Sequence, residues 1–270
     1  MTVHNNLVQV HRRVMESKTY DRASRGACFH YLRDISHDRA ATMRWFMIIK
    51  NICESGHSLD IFDCGVHIFD NFIIRYFESG ENNLRKTKEF FGLVGAASIL
   101  LSSKLHDQKS DLSFASFPYY KESVLADTER LILDTLEYEI DIFDTPLFLA
   151  RKMCSNLPGL SDEDSRRFIQ GVSEILACFY VNNIQTTFFS TTTVALSAAL
   201  LQFTRQELNQ NYTHYLFDSI DTSKLNDCEF CLQRMHALLA PMKTGEKSIL
   251  DTKSPIETSP VSIAKVGKIE

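Results

Sequence analysis

The chain has 270 residues, of which 44% are hydrophobic, 23% charged and 11% aromatic. These proportions exclude collagen-like, mucin-like and wholly disordered proteins. Glycine (10 residues) and proline (6 residues) are both scarce, and no proline precedes Pro118. Because sheets and α/β folds need frequent turn residues, this scarcity favours long helices and predicts an all-α protein.

The formal net charge is −5 at pH 7, and no run of Lys and Arg exceeds two residues. Since nucleic-acid binders usually carry a clustered basic surface, we expect no direct binding to nucleic acid. The seven cysteines lie mostly in apolar stretches, and the polar start of the chain lacks the apolar centre of a signal peptide, which favours a nuclear or cytosolic protein. The uncharged segment 187–203 is too short and too rich in Ser and Thr for a membrane span, so we expect no membrane association.

Apolar residues recur at three- and four-residue spacing along the first half of the chain. The pattern predicts helices over 43–53, 59–77, 90–105 and 121–138. The segment 90–105 is apolar or small on every side, which is typical of the central helix of a bundle. The sequence Asp144-Thr145-Pro146 then has the composition of a helix start.

The second half repeats this order. Helices are predicted over 147–157, from an N-cap at Ser161 to about residue 180, over 191–204 and over 225–240, and the helix over 191–204 is again built of small and apolar residues. The repeat predicts two tandem bundles of about five helices. The expected division is a helical or flexible segment 1–38, a first domain 39–144, a second domain 145–240 and a disordered tail 241–270.

The sequence contains no Gly-rich phosphate loop, nucleophile elbow or zinc-protease motif. Cys228, Cys231 and His236 come nearest to the spacing of metal ligands, but the chain has no second CxxC pair. The two cysteines also share one helical face with Met235, so core packing is favoured over zinc. We therefore expect an interaction protein with no catalytic residue, no metal and no cofactor.

The segment from Arg39 to Leu149 resembles the N-terminal cyclin box in five places that follow in the right order. They are Met43-Arg44 with Phe46 and Met47, then 64–77 (CGVHIFDNFIIRYF), 93–104 (LVGAASILLSSK), 129–136 (ERLILDTL) and 144–149 (DTPLFL). The second half resembles the C-terminal cyclin fold more weakly. The resemblance implies an all-α protein of two tandem five-helix cyclin-fold domains, which agrees with the repeat.

The resemblance also implies a regulatory subunit that binds a cyclin-dependent kinase and activates or targets it, without supplying a catalytic residue. In the family, a Lys and a Glu make the central polar contacts with the kinase, and they match Lys104 and Glu129. The alternative is that Lys104 only complements the dipole of its helix and that Glu129 is solvated.

The chain departs from the family pattern at the substrate-docking groove. The Trp of that groove falls at Lys50 and its accompanying Gln at Gly92, which argues against substrate recruitment through an Arg-x-Leu groove. Met43, Phe46 and Met47 are candidates for an apolar docking patch. Burial of these residues in the core is the favoured alternative.

The short chain and its segment from Ser103 to Leu125 are most similar to meiotic crossover-site-associated cyclin-like proteins of the cyclin N-terminal domain-containing type. That similarity implies a nuclear, chromosome-associated protein that promotes crossover formation in meiotic DNA recombination. Its partners would be a cyclin-dependent kinase and recombination proteins of the mismatch-repair-like kind. The alternative is a cyclin-fold scaffold in cell-cycle or transcription control that does not activate a kinase.

The tail contains two candidate phosphorylation sites. Ser254 and Ser259 each precede a proline, which is the minimal site of a proline-directed kinase, and neither has a basic residue three positions later. Because such sites often arise by chance in polar segments, both a regulatory and an incidental role stay open.

Overall fold

The structure is a computed structural model that describes residues 36–52, 58–78, 87–106, 112–155, 157, 159–182, 189–206 and 225–239. Within these ranges every regular element is helical. The α-helices are α1 (Ser36–Ile52), α2 (Ser58–Glu78), α3 (Lys88–His106), α4 (Glu122–Thr135), α5 (Pro146–Ser155), α6 (Asp162–Asn182), α7 (Thr191–Arg205) and α8 (Leu225–Leu239), and a 3-10 turn spans Phe114–Ser116. The all-α prediction is confirmed.

The chain separates into two compact units, divided between Glu139 and Ile140. We call the residues described before this point the N-terminal unit and those described after it the C-terminal unit. The N-terminal unit contains α1 to α4 and the 3-10 turn, and the C-terminal unit contains α5 to α8. Of the predicted leading segment 1–38 only the last three residues are described, and the predicted tail 241–270 lies outside the described residues.

The N-terminal unit is built around α3, which packs against α1, α2 and α4. Between Phe91 and Ser103 almost every residue of α3 is buried, as its small and apolar composition predicts. The hydroxyl of Ser102 donates a hydrogen bond of 2.7 Å to the main-chain carbonyl of Ile61 in α2. This buried bond satisfies a polar side chain in the interior and fixes the two helices side by side.

Two glycines allow the helices of the N-terminal unit to approach closely. A Cβ atom at Gly95 in α3 would lie 2.6 Å from Cγ2 of Thr42 in α1, and one at Gly65 in α2 would lie 2.7 Å from Cδ1 of Ile99 in α3. Both distances are shorter than any ordinary carbon–carbon contact, so a larger residue would force the helices or the facing side chains apart.

A buried ion pair joins α1 to α2. Nε of Arg39 donates to Oδ1 of Asp70 at 2.8 Å, and one terminal nitrogen of the guanidinium donates to Oδ2 at 2.6 Å. The arginine side chain is almost completely buried. Because a buried guanidinium without its carboxylate is strongly unfavourable, this bidentate pair determines which turn of α1 faces α2.

The C-terminal unit is built around α7, which packs against α5, α6 and α8. The hydroxyl of Ser197, in the middle of α7, donates to the main-chain carbonyl of Cys228 in α8 at 3.2 Å. The predicted N-cap of α6 is confirmed, since the hydroxyl of Ser161 accepts a hydrogen bond from the backbone N–H of Asp164. No helix in the described ranges is long and apolar enough to cross a membrane.

Candidate functional site

Lys104 and Glu129 lie side by side on neighbouring helices. Lys104 occupies the last turn of α3 and Glu129 lies within α4. The ammonium Nζ donates to both carboxylate oxygens of Glu129 at 2.7 Å. The lysine side chain is 51% exposed and that of the glutamate only 10%. The alternative of a solvated Glu129 is therefore wrong, because a buried carboxylate holds an accessible ammonium in place.

A third group contacts the same ammonium. Nζ of Lys104 lies 4.7 Å from the ring centroid of Phe114, which belongs to the 3-10 turn between α3 and α4. This distance is within the range of a cation–π interaction. Sequence patterns do not single out Phe114, since only the fold brings its ring to the lysine.

The geometry leaves the ammonium partly free to bind a partner. An ammonium has three N–H donors, and the two carboxylate oxygens take two hydrogen bonds. The remaining donor and the exposed side of Lys104 can bind an acceptor on another molecule, such as a main-chain carbonyl. Because Glu129 and Phe114 already restrict the side chain, binding would cost less rotamer entropy than it would for an unrestrained surface lysine.

Two exposed apolar side chains lie on the helices that carry this pair. Leu105 follows Lys104 in α3 and is 44% exposed, while Val124 in the first turn of α4 is 40% exposed. The apolar periodicity of 121–138 predicts Val124 to point inward, and that prediction is wrong. Periodicity alone could not separate exposed Val124 from buried Leu125, because the two residues are neighbours at the edge of the same apolar helical face.

The three residues predicted as an apolar docking patch are mostly core. Met43 and Phe46 are fully buried, and Met47 is partly buried. The ring of Phe46 packs edge-on against those of Phe62 and Phe69 in α2, with centroids 6.5 and 6.3 Å away. Met43 and Phe46 therefore offer no surface to a docking peptide, and the alternative of core burial describes them correctly.

Two arginines of α1 have different surroundings. The resemblance places the motif arginine at Arg44 and the groove tryptophan six residues later, at Lys50. Arg44 is exposed, however, whereas Arg39 is the buried partner of Asp70. The same spacing counted from Arg39 leads to Trp45, the single tryptophan of the chain.

Trp45 is partly buried on α1. Its ring meets that of Phe117 at 5.5 Å between centroids in an edge-to-face arrangement. Position 92 is a buried glycine within α3.

The cysteines of α8 behave as core residues. Burial raises the pKa of the Cys231 thiol to about 12, and burial likewise raises the pKa of Cys228, whose sulfur lies 3.4 Å from the hydroxyl of Ser197. His236 on the same helix is exposed. Within the described ranges, no group of three or more His, Cys, Asp or Glu residues is arranged to hold a metal ion. Ser254 and Ser259 lie outside the described residues.

Comparison with known proteins finds similarity at the level of structure. No family model matches the sequence, and no curated protein matches it. The X-ray structure of a viral cyclin from herpesvirus saimiri matches with a TM-score of 0.57 and 16% sequence identity, over 76% of this chain and 85% of that chain. The chain has a cyclin fold. The all-α cyclin fold predicted from five short motifs is thus confirmed, and the division into two tandem five-helix domains stays a prediction.

Proposed function

We propose that this cyclin-fold protein is a non-catalytic regulatory subunit that binds a cyclin-dependent kinase and activates or targets it. The observation that carries the proposal is the ion pair between Lys104 and Glu129, with an exposed ammonium and a buried carboxylate. These two residues match the family's central kinase contacts. Leu105, which follows Lys104 in the chain, is 44% exposed and adds apolar surface to the end of α3 that carries the ammonium.

The physical basis of binding is a charge that is fixed before the partner arrives. An exposed ion pair contributes little to stability, because water screens it and both side chains lose freedom. Glu129 is buried and accepts two hydrogen bonds from one ammonium, so most of that ordering is complete in the free protein. A main-chain carbonyl of the kinase would then replace water at Lys104 with a charge-assisted hydrogen bond.

We further propose that the protein acts in the nucleus, at chromosomal sites of meiotic recombination, and there promotes crossover formation. The support for this finer role is the similarity of the segment from Ser103 to Leu125 to meiotic crossover-site-associated cyclin-like proteins. Recombination proteins of the mismatch-repair-like kind are the expected partners beside the kinase. Affinity purification of the full chain from germline tissue tests this role, and recovery of neither a kinase nor a recombination protein would contradict it.

The kinase interface is tested by the double substitution Lys104→Ala with Glu129→Ala in the full chain. Removing both partners avoids leaving a buried carboxylate unpaired, so the fold is disturbed less than by Lys104→Ala alone. We expect the kinase complex to weaken at least about thirtyfold, the scale of a binding hot spot. Isothermal titration with the purified kinase measures the effect, and binding equal to wild type would refute the interface.

The matched control is another ion pair of the same chain. Arg167 donates to Glu163 one turn earlier on α6, and both side chains are 66% exposed. Arg167→Ala with Glu163→Ala removes the same charges from the C-terminal unit and is expected to leave kinase binding unchanged.

The second candidate function is a scaffold that binds without activating. The departure at Gly92 favours it, since a docking groove without its glutamine would recruit substrates poorly. Phosphorylation of a histone-like substrate by the purified kinase, with and without the protein, separates the two functions. A rise in activity supports activation, whereas binding without a rise supports the scaffold.

A further inference from the structure

The 3-10 turn between α3 and α4 carries an aromatic ring to the Lys104 site. The turn spans Phe114–Ser116, and the ring of Phe114 lies 4.7 Å from Nζ of Lys104. Phe114 is partly buried, so one part of the ring contacts protein while the rest is close to solvent. Phe114 comes ten residues after Lys104 in the chain. This separation is too large for a contact along one helix, so the fold brings the ring to the lysine.

The turn itself is held at both ends. At its start, the backbone N–H of Ser113 donates to the hydroxyl of Ser116 at 3.1 Å. At its end, the N–H of Phe117 donates to the carbonyl of Phe114 at 3.0 Å, and the buried ring of Phe117 packs against Trp45 of α1. The backbone that carries Phe114 is thus fixed to another helix, which limits where its own ring can lie.

The ring supplements Glu129 in a way that another polar group could not. Glu129 holds the ammonium through two hydrogen bonds, and the ring attracts the same charge through its π face. The cation–π attraction between the ring and the ammonium does not use up any of the three N–H donors of Lys104. The donor that Glu129 leaves unused therefore stays available, whereas a second carboxylate or carbonyl in this place would compete for it.

We propose that Phe114 is a positioning residue that holds the ammonium of Lys104 in the orientation in which it binds the partner; its use in binding rests on the proposed function. Phe114 and Glu129 both contact the ammonium and together restrict the lysine side chain. The exposed part of the ammonium is thereby directed away from both.

The position of the lysine is tested in the free protein by NMR. Protons over an aromatic face are shifted upfield by the ring current, so the Hε protons of Lys104 should resonate upfield of those of the other lysines. Phe114→Leu should abolish the shift and Phe114→Tyr should keep it. An unshifted Lys104 signal in the wild-type protein would overturn the proposal, whatever the kinase experiments show.

Its use in binding is tested by a double-mutant cycle on the full chain, titrated with the purified kinase. We expect Phe114→Leu to weaken binding about three- to tenfold and Phe114→Tyr to bind as wild type does. In a background with Lys104→Met and Glu129→Gln, which leaves no unpaired buried charge, Phe114→Leu should have no further effect, because the ammonium is gone. Additive losses in the two backgrounds would show a merely structural role and overturn the proposal.

The chain offers a matched control for the ring. The guanidinium of Arg234 lies 5.1 Å from the ring centroid of Phe230 on α8, in the C-terminal unit. Phe230→Leu removes the same kind of contact and should leave kinase binding unchanged. Failure of the proposed function would appear differently. Lys104→Met with Glu129→Gln would then bind the kinase like wild type, while the ring-current shift would still decide whether Phe114 positions Lys104.

Discussion

Glu137 and Tyr138 end α4 in a left-handed backbone conformation, with φ angles of 54° and 59°. The N–H of Glu137 donates to the carbonyl of Asp134 and that of Tyr138 to the carbonyl of Leu133, which is the hydrogen-bond pattern of a Schellman motif. The first left-handed position of this motif is usually glycine, because a Cβ atom there costs about 1–2 kcal/mol.

We therefore expect Glu137→Gly to stabilise the N-terminal unit. Relief of the strained backbone outweighs the greater freedom of glycine in the unfolded chain, which costs about 0.5–1 kcal/mol, so the net gain is of order 0.5–1 kcal/mol. Urea denaturation followed by the fluorescence of Trp45, which belongs to the same unit, measures it. Glu137→Ala is the control, because it removes the carboxylate and keeps Cβ. An equal gain from alanine would show that charge, and not backbone strain, is responsible.

Cys231 should resist alkylation in the folded protein. Burial raises the pKa of its thiol to about 12, so the reactive thiolate is scarce at about pH 8, whereas in the unfolded chain the ordinary pKa is near 8.5. Mass spectrometry after iodoacetamide treatment should find Cys231 unmodified in buffer and modified in urea.

The same shift in pKa has a consequence for stability. Because the folded state keeps a proton that the unfolded state releases, this contribution to the free energy of unfolding is complete below about pH 8.5. It is lost as the pH rises toward the folded value of about 12. In the alkylation experiment, modification of Cys231 in the folded protein at the rate of a free thiol would contradict the burial of its side chain.

At the scale of elements, the closeness of α1 and α3 depends on a missing side chain. Gly95→Ala would place its methyl group 2.6 Å from Cγ2 of Thr42 and 3.1 Å from Cε1 of Phe46. Alanine favours a helix by about 1 kcal/mol over glycine, but overpacking a core costs about 1–3 kcal/mol. We expect a net loss of order 1 kcal/mol, measured by urea denaturation.

The control for this prediction removes Cγ2 of Thr42, the atom with which the added methyl group would clash. Thr42→Ser deletes Cγ2 and keeps the hydroxyl, which donates to the carbonyl of Asp38. In the Thr42→Ser background, Gly95→Ala should lose less stability than in the wild type, because only the contact with Phe46 remains. Equal losses in both backgrounds would show that the two helices separate as a whole.

At the scale of the whole molecule, the charge argues against a cyclin-fold protein that binds DNA. The net charge is −5 and the isoelectric point about 6.0. Affinity for DNA comes largely from neutralising phosphates with Lys and Arg, and it falls steeply with salt. We expect no shift of duplex DNA in an electrophoretic assay at physiological salt. A protein–DNA complex that weakens on addition of salt would contradict this expectation and would support a DNA-binding function.

The sequence by itself determined the fold class and the places of the central helices. Segments 90–105 and 191–204 were predicted from composition, and the structure has helices over Lys88–His106 and Thr191–Arg205. The start of α5 at Pro146 and the N-cap at Ser161 were also predictable. These features are local, because periodicity, capping and the effect of proline act between residues a few positions apart.

Only the tertiary structure decided which side chains meet. It made Arg39, and not Arg44, the buried partner of Asp70, and it placed the ring of Phe114 under Lys104. It also exposed Val124 and buried Met43. Each outcome depends on which turn of one helix faces another. Local sequence patterns do not determine which turn of one helix faces another. That register is set by the close approach of helices at glycines and by the pairing of charges that cannot be buried alone.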